Sequence, residues 1–139
     1  MRVKDIMTAN PVCCTKTTRI KEVAKMMVDR DCGAIPVVDD LEHRAPVGVI
    51  TDRDIVCRVV AQDKDPKNTA VGEVMTLGAV TVELEMDIEE CERLMKQHQV
   101  RRILVIDPLG GCCGIVSQGD IATYAEEFET GRVVQGVSA

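Results

Sequence analysis

Two hydroxyl residues, each followed three positions later by an aspartate, are the groups in this chain best placed for chemistry. Thr51-Asp52-Arg53-Asp54 and Ser117-Gln118-Gly119-Asp120 share that spacing. Each belongs to a longer phrase that occurs twice. Gly48-Val49-Ile50-Thr51-Asp52-Arg53-Asp54-Ile55 returns 66 residues later as Gly114-Ile115-Val116-Ser117-Gln118-Gly119-Asp120-Ile121. The apolar run before each hydroxyl reads as a strand and the residues after it as a helix, so both aspartates fall at a strand-to-helix junction. Two uses of that arrangement compete. In a capping box the hydroxyl accepts from a helix amide and the acid reaches back to the cap's own amide. In a binding site the open amides and positive dipole of the helix start attract a phosphate, and the carboxylate accepts from a ribose diol. Capping boxes favour the longer Glu or Gln, whereas both copies carry Asp, which keeps the binding use open.

The elements that must position these residues also come in pairs. Val3-Lys4-Asp5-Ile6-Met7-Thr8 answers Val71-Gly72-Glu73-Val74-Met75-Thr76, 68 residues on. After the turn signal Ala9-Asn10-Pro11 comes the short run Val12-Cys13-Cys14, and the pattern then predicts a helix from about Arg19, capped by Thr17 or Thr18, with Ile20, Val23, Ala24 and Met27 on its buried face. Strands follow at 34–38 and 47–50, then a helix from Asp52 carrying Ile55, Val56, Val59 and Val60. In the second half the same order predicts strands at 80–82, 103–106 and 113–116, a helix over 87–97 and a final helix from Gln118. Each half is therefore β-α-β-β-α, with a parallel strand-helix-strand crossover and a hairpin. The expected organisation is a first repeat over 1–63, a linker over 64–70, a second repeat over 71–129 and a loose tail over 130–139. The fold class is mixed α/β and α+β, built from two pseudo-symmetric repeats.

Composition narrows the partners. The 139 residues are 45% hydrophobic, yet Tyr124 and Phe128 are the only aromatics. Stacking platforms for single-stranded nucleic acid are thus missing, and a net charge of −6 opposes a polyphosphate backbone. No apolar run is long enough to span a membrane, and residues 1–7 lack the apolar stretch of a secretory leader. Seven cysteines without regular paired spacing fit a reducing, cytoplasmic setting. Cys13-Cys14 and Cys112-Cys113 are adjacent pairs, whose side chains would point to opposite faces of a strand. Four thiols would converge only if those two segments lay side by side. A metal- or redox-sensing use competes with the simpler one of small buried hydrophobes. His43 and His98 stand beside no repeated nucleophile, so no catalytic pair is expected.

The chain resembles a tandem pair of cystathionine-β-synthase-type (CBS) domains, the Bateman module. The matching residues are Asp5-Ile6-Met7-Thr8, Ala34-Ile35-Pro36-Val37-Val38-Asp39 and Gly48 to Ile55, with Glu73-Val74-Met75-Thr76, Arg102-Ile103-Leu104-Val105-Ile106-Asp107 and Gly114 to Ile121 in the second half. The resemblance covers about residues 3–128. It implies a non-enzymatic regulatory module that binds AMP, ADP or ATP in clefts between the repeats, with NAD(H) or S-adenosylmethionine as further candidates and no required cofactor or metal. It also implies a homodimer and an effector protein that senses occupancy. By the same analogy Asp120 and Ser117 hold one ligand with Ile115, Val12, Cys32, Gly33 and Ala34, and Arg101 meets its phosphate. Asp54 and Thr51 hold a second with Val80, Val100, Arg101 and Arg102. The small Gly33-Ala34 wall and the reach of Arg101 make the Asp120 site the better of the two. Arg53 either adds charge near phosphate or is a solvated first-turn arginine. The rival functions are an assembly module with empty clefts and a cysteine-based metal or redox sensor.

Overall fold

The computed structural model describes residues 1–129 and Gly131. The first repeat contains α1 (Val3–Ile6), β1 (Thr8–Ala9), α2 (Ile20–Arg30), β2 (Ala34–Val38), β3 (Pro46–Thr51) and α3 (Asp52–Ile55), which runs on as a π-helical turn over Val56–Val60. The second contains α4 (Val71–Val74), β4 (Thr76–Leu77), β5 (Thr81–Glu83), α5 (Ile88–His98), β6 (Arg102–Ile106), β7 (Cys112–Ser117) and α6 (Gln118–Glu129). The expected tail over 130–139 lies outside the described residues except for Gly131, whose amide bonds the Phe128 carbonyl at 3.1 Å.

Packing units and sequence repeats do not share boundaries. One compact unit gathers Met1–Asn10, Val80–Leu109 and the described residues from Cys113; the other gathers Pro11–Ala79 with Gly110–Cys112. Each repeat therefore lends its leading segment to the other's unit. In the first unit the sheet order is β1-β7-β6-β5, with β1 antiparallel to β7 and β5 parallel to β6. The predicted crossover through α5 is present there. In the other unit the order is β2-β3-β4, all antiparallel. Its parallel partner shrinks to a single bridge between Cys14 and Val37.

Each core is aliphatic, as the lack of aromatics requires. Ile20, Val23 and Met27 of α2 pack with Ile35, Val37, Ile50, Val59, Val71 and Val74. In the other unit Ile88, Cys91 and Met95 of α5 pack with Val3, Val82, Ile103, Val105, Val116 and Ile121. Fully burying a residue of this kind contributes about 1.5–3 kcal/mol.

The lent segments also cap the long helices, which corrects one sequence expectation. Neither Thr17 nor Thr18 caps α2. Its N-cap is Arg19, without a side-chain bond, and the Thr18 hydroxyl accepts instead from the Thr15 amide at 3.1 Å. The first two helix amides, of Ile20 and Lys21, donate to the carbonyls of Thr69 and Pro66 at 2.9 and 3.0 Å. At the equivalent place in α5, the Ile88 amide donates to the Met1 carbonyl at 3.2 Å. Segment 64–70 is accordingly a fixed turn. Asp65 accepts from the Lys67 amide and the Asn68 side chain, and its carbonyl accepts from the Thr69 hydroxyl.

A second correction concerns the helix after Asp52. The π-helical turn changes which positions share a face, so Val59 is fully buried while Val56 and Val60 are 58% and 62% exposed.

The glycine that opens each repeated phrase is explained by the lent strands. A side-chain carbon at Gly48 would stand 2.5 Å from the Thr76 carbonyl oxygen of β4, whereas at Gly114 it would meet the flexible Met7 side chain. Gly48→Ala should therefore cost about 1–3 kcal/mol of overpacking, and Gly114→Ala clearly less. Urea denaturation of both variants checks this; equal stabilities would contradict the strand-crossing explanation.

Candidate functional site

Both repeated aspartates sit where a strand enters a helix, β3 into α3 and β7 into α6, as their sequence context predicts. The residue that receives the first helix amide comes from the preceding element. Helices α2 and α5 end at Asp31 and Gln99, both in the left-handed region at φ 50° and 55°. That turn leads the chain through Cys32-Gly33 and Val100-Arg101. The Gly33 carbonyl then accepts the Asp52 amide at 2.9 Å, and the Arg101 carbonyl accepts the Gln118 amide at 2.8 Å. Within its unit, Gly33-Ala34 thus lies beside Thr51, with Ala34 in register opposite it. Arg101-Arg102 holds the matching place beside Ser117 in the other unit. The small size of Gly33 is already used, since the Asp52 carboxylate lies 2.9 Å from where a side-chain carbon would be.

The capping box forms at both junctions. Asp54 accepts from the Thr51 amide at 3.0 Å, while its own amide donates to the Thr51 hydroxyl at 3.1 Å. Asp120 accepts from the Ser117 amide at 2.9 Å and donates to the Ser117 hydroxyl at 3.0 Å. One carboxylate oxygen of each aspartate is therefore committed to the backbone.

The second oxygen separates the two sites. At Asp54 it accepts from the Thr76 hydroxyl at 3.3 Å, with the Arg58 guanidinium 3.9 Å away. That guanidinium is anchored by donating to the Val74 and Met75 carbonyls. Asp54 is only 8% exposed. The Arg53 amide is also taken, by the Asp52 carboxylate at 2.8 Å, so the amides of residues 51–54 are all satisfied.

The Asp120 junction is less complete. Asp120 is half-buried, and among the described residues its Oδ1 and the Gly119 amide take no hydrogen bond. Thr8, the counterpart of Thr76, pairs opposite Ile115 and makes no bond to Asp120. Asp120 also borders a cavity of about 350 Å³, lined by Met1, Asp5, Ile6, Thr123, Tyr124 and Glu127 as well. Sequence reasoning missed Thr76 and Arg58, which close the Asp54 site, and Asp5 and Tyr124, which line this cavity. Thr76 ends a repeated motif, a signal that was present. The others depend on which segment each unit receives.

The remaining named residues are less committed. Val12, Cys32, Ile115, Val80, Val100 and Arg102 are half-buried, and Arg101 and Arg53 are exposed. The four paired cysteines do not converge. Cys14 joins the core of one unit and Cys113 packs against the core of the other, which leaves Cys13 and Cys112. Among the described residues no group of three or more His, Cys, Asp or Glu could hold a metal ion, and no helix is long and apolar enough to cross a membrane.

Stability should follow the bonding. Asp54→Ala removes a buried carboxylate that accepts from the Thr51 amide and the Thr76 hydroxyl and should cost about 1–3 kcal/mol, whereas Asp120→Ala loses chiefly a cap, about 1 kcal/mol. Chemical denaturation of both variants measures the difference, and a larger loss at Asp120 would overturn this account of the two junctions.

Comparison with known proteins gives the same outline. A family model described as CBS domain matches residues 3–61 and again 71–127. The CBS domain-containing protein YhcV of Bacillus subtilis is 40% identical over 120 residues, 86% of this chain and 82% of that protein. The crystal structure of Hypoxic Response Protein I with two coordinated zinc ions is similar with a TM-score of 0.76 and 32% identity, covering 89% of this chain and 98% of that one. The CBS domain pair of protein MJ0100, in complex with 5'-methylthioadenosine and S-adenosyl-L-methionine, is similar with a TM-score of 0.80 and 27% identity, covering 92% and 98%.

Proposed function

This chain belongs to the CBS domain family, and from that membership we propose that it is a non-enzymatic regulatory module for an adenosine-containing ligand. Occupancy reaches an effector protein as a population shift between conformations, without bond making. The observation that carries this reading is the unequal state of the two junctions. Asp120 keeps a carboxylate oxygen and a neighbouring Gly119 amide open beside a cavity, whereas Asp54 is closed by Thr76 and Arg58. An open carboxylate oxygen at a helix start suits a ribose diol, and one open amide suits a single phosphate oxygen. Ser117, Ile115 and Arg101 belong to the same unit and complete the proposed contacts. Asp54 serves mainly to hold β3, α3 and β4 together.

Electrostatics refines the ligand class. The cavity beside Asp120 also carries Asp5 and Glu127, and like charges oppose a polyanion there. That favours adenosine compounds of low negative charge, such as AMP, methylthioadenosine or the sulfonium S-adenosylmethionine, over ATP. The similar CBS pair of MJ0100 was solved with two compounds of this kind. Self-association is part of the proposal. Val28 on α2, 80% exposed, and Val56 and Val60 on the π-helical turn supply apolar surface for a second copy.

Calorimetric titration with AMP, ADP, ATP, NAD(H), methylthioadenosine and S-adenosylmethionine tests the reading. At least one low-charge adenosine ligand should bind, and Asp120→Ala should weaken it about ten- to a hundredfold, the loss of a charge-assisted hydrogen bond. Binding undiminished by Asp120→Ala would displace the site. Silence from every ligand, together with nothing co-purifying, would favour a purely structural module.

A further inference from the structure

We propose that Cys13, Cys112 and Arg44 form an oxidant-responsive thiol site, in which peroxide oxidises Cys13 and Cys112 then closes a disulfide with it. Three observations within one packing unit support the site. The two thiols, from distant parts of the chain, stand near enough for Cys112 to favour ionisation of Cys13, and both are buried, Cys112 at 3% and Cys13 at 9% exposure. Arg44 clamps the pair from both ends. Its guanidinium donates to Cys13 Sγ at 3.1 Å and to the Pro11 carbonyl at 2.8 Å, while its own carbonyl accepts the Cys112 amide at 2.7 Å. Arg44 reaches this position in the left-handed region, at φ 62°, where a side chain costs about 1–2 kcal/mol. Its Nε is buried without a partner among the described residues, so it keeps undischarged donor capacity next to the sulfur.

The adjacent cysteines are tuned in opposite directions, and the geometry says why. Cys13 is lowered to about 7, first by the Cys112 hydrogen bond and then, against the opposing effect of burial, by the charge and hydrogen bond of Arg44. Cys14, one residue on, faces the core and is pushed up to about 12, first by burial and then by its charged neighbour. Two adjacent residues in different surroundings thus differ as a readily ionised thiol and an inert one. A guanidinium in contact with Cys13 stabilises an anion there and repels a divalent cation, which favours redox chemistry over metal binding at this pair.

The chemistry balances with hydrogen peroxide as the named oxidant. The Cys13 thiolate attacks one peroxide oxygen, the O–O bond breaks, and hydroxide leaves as Cys13 becomes a sulfenic acid. The Cys112 thiol then attacks that sulfur, an S–S bond forms, and water departs with the Cys112 proton. Two electrons pass from the thiols to peroxide, and a dithiol reductant reverses the result.

Peroxide treatment of the full chain, followed by non-reducing digestion and mass spectrometry, tests the proposal. The expected product is a Cys13–Cys112 cross-linked peptide that disappears on reduction. In the untreated protein the alkylation rate of Cys13 should titrate with a midpoint near 7, well below the ordinary thiol value of about 8.5. Arg44→Met should slow alkylation at neutral pH several-fold, Cys112→Ala at least as much, and Arg44→Lys should restore most of the rate. The proposal is overturned if peroxide joins Cys13 to Cys14 or leaves Cys13 and Cys112 unlinked. It is equally overturned if Cys13 titrates as an ordinary thiol, or if zinc binds stoichiometrically and blocks both cysteines. The pH titration uses the unmodified chain, so it decides the matter even where a variant does not fold.

Discussion

The exchange of leading segments between the two repeats is the constraint on which the rest of this structure depends. A helix start leaves amides that must find acceptors, and in α2 and α5 those acceptors are main-chain carbonyls at or just before the lent segments. The Thr69 and Met1 carbonyls fill equivalent positions, each just ahead of a short helix and an edge strand. The lent strand then adds to the far side of β3 or β7. Gly48 and Gly114 exist for that contact, because the crossing segment passes where a side chain would otherwise stand. Neither sequence repeat could form its unit alone, since its long helix would be uncapped and its sheet one strand short.

Pseudo-symmetry supplies two copies of one junction, and small differences then give them separate roles. Both aspartates satisfy the same capping box, so the box cannot decide function. What decides it is the residue on the lent segment. Thr76 donates to Asp54 and Arg58 reinforces it, while Thr8 leaves Asp120 open. Capping and binding are compatible at Asp120 because a carboxylate has two oxygens and the helix start uses only one. The same logic divides the cysteines. Alternation along an extended segment sends Cys14 into an aliphatic core and turns Cys13 toward Arg44, so neighbours of identical chemistry acquire opposite ionisation behaviour.

Much of the regular structure was legible from periodicity. Strand β2 occupies the predicted residues, and α5, β6 and β7 differ by a residue or so, because uninterrupted Val-Ile runs and three-to-four spacing admit few other arrangements. The short elements α1, β1, α4 and β4 were not legible. Four residues carry no period, and these segments are stabilised by the sheet they join. The cap of α2 was not legible for a related reason. Thr17 and Thr18 are good capping residues locally, but carbonyls arriving from residues 66 and 69 took the amides first.

By itself the sequence determined that the protein is a duplicated mixed α/β chain with an aliphatic core. It also placed one hydroxyl and one aspartate at each of two equivalent junctions. Those facts are local: they follow from residue type, spacing and repetition. Only the tertiary structure decided that the leading segments change places, that Asp54 is closed while Asp120 stays open, and that Cys13 meets Cys112 under Arg44. Each of those outcomes is a contact between residues far apart in the chain. Its free energy depends on which backbone arrives there, which no local pattern encodes.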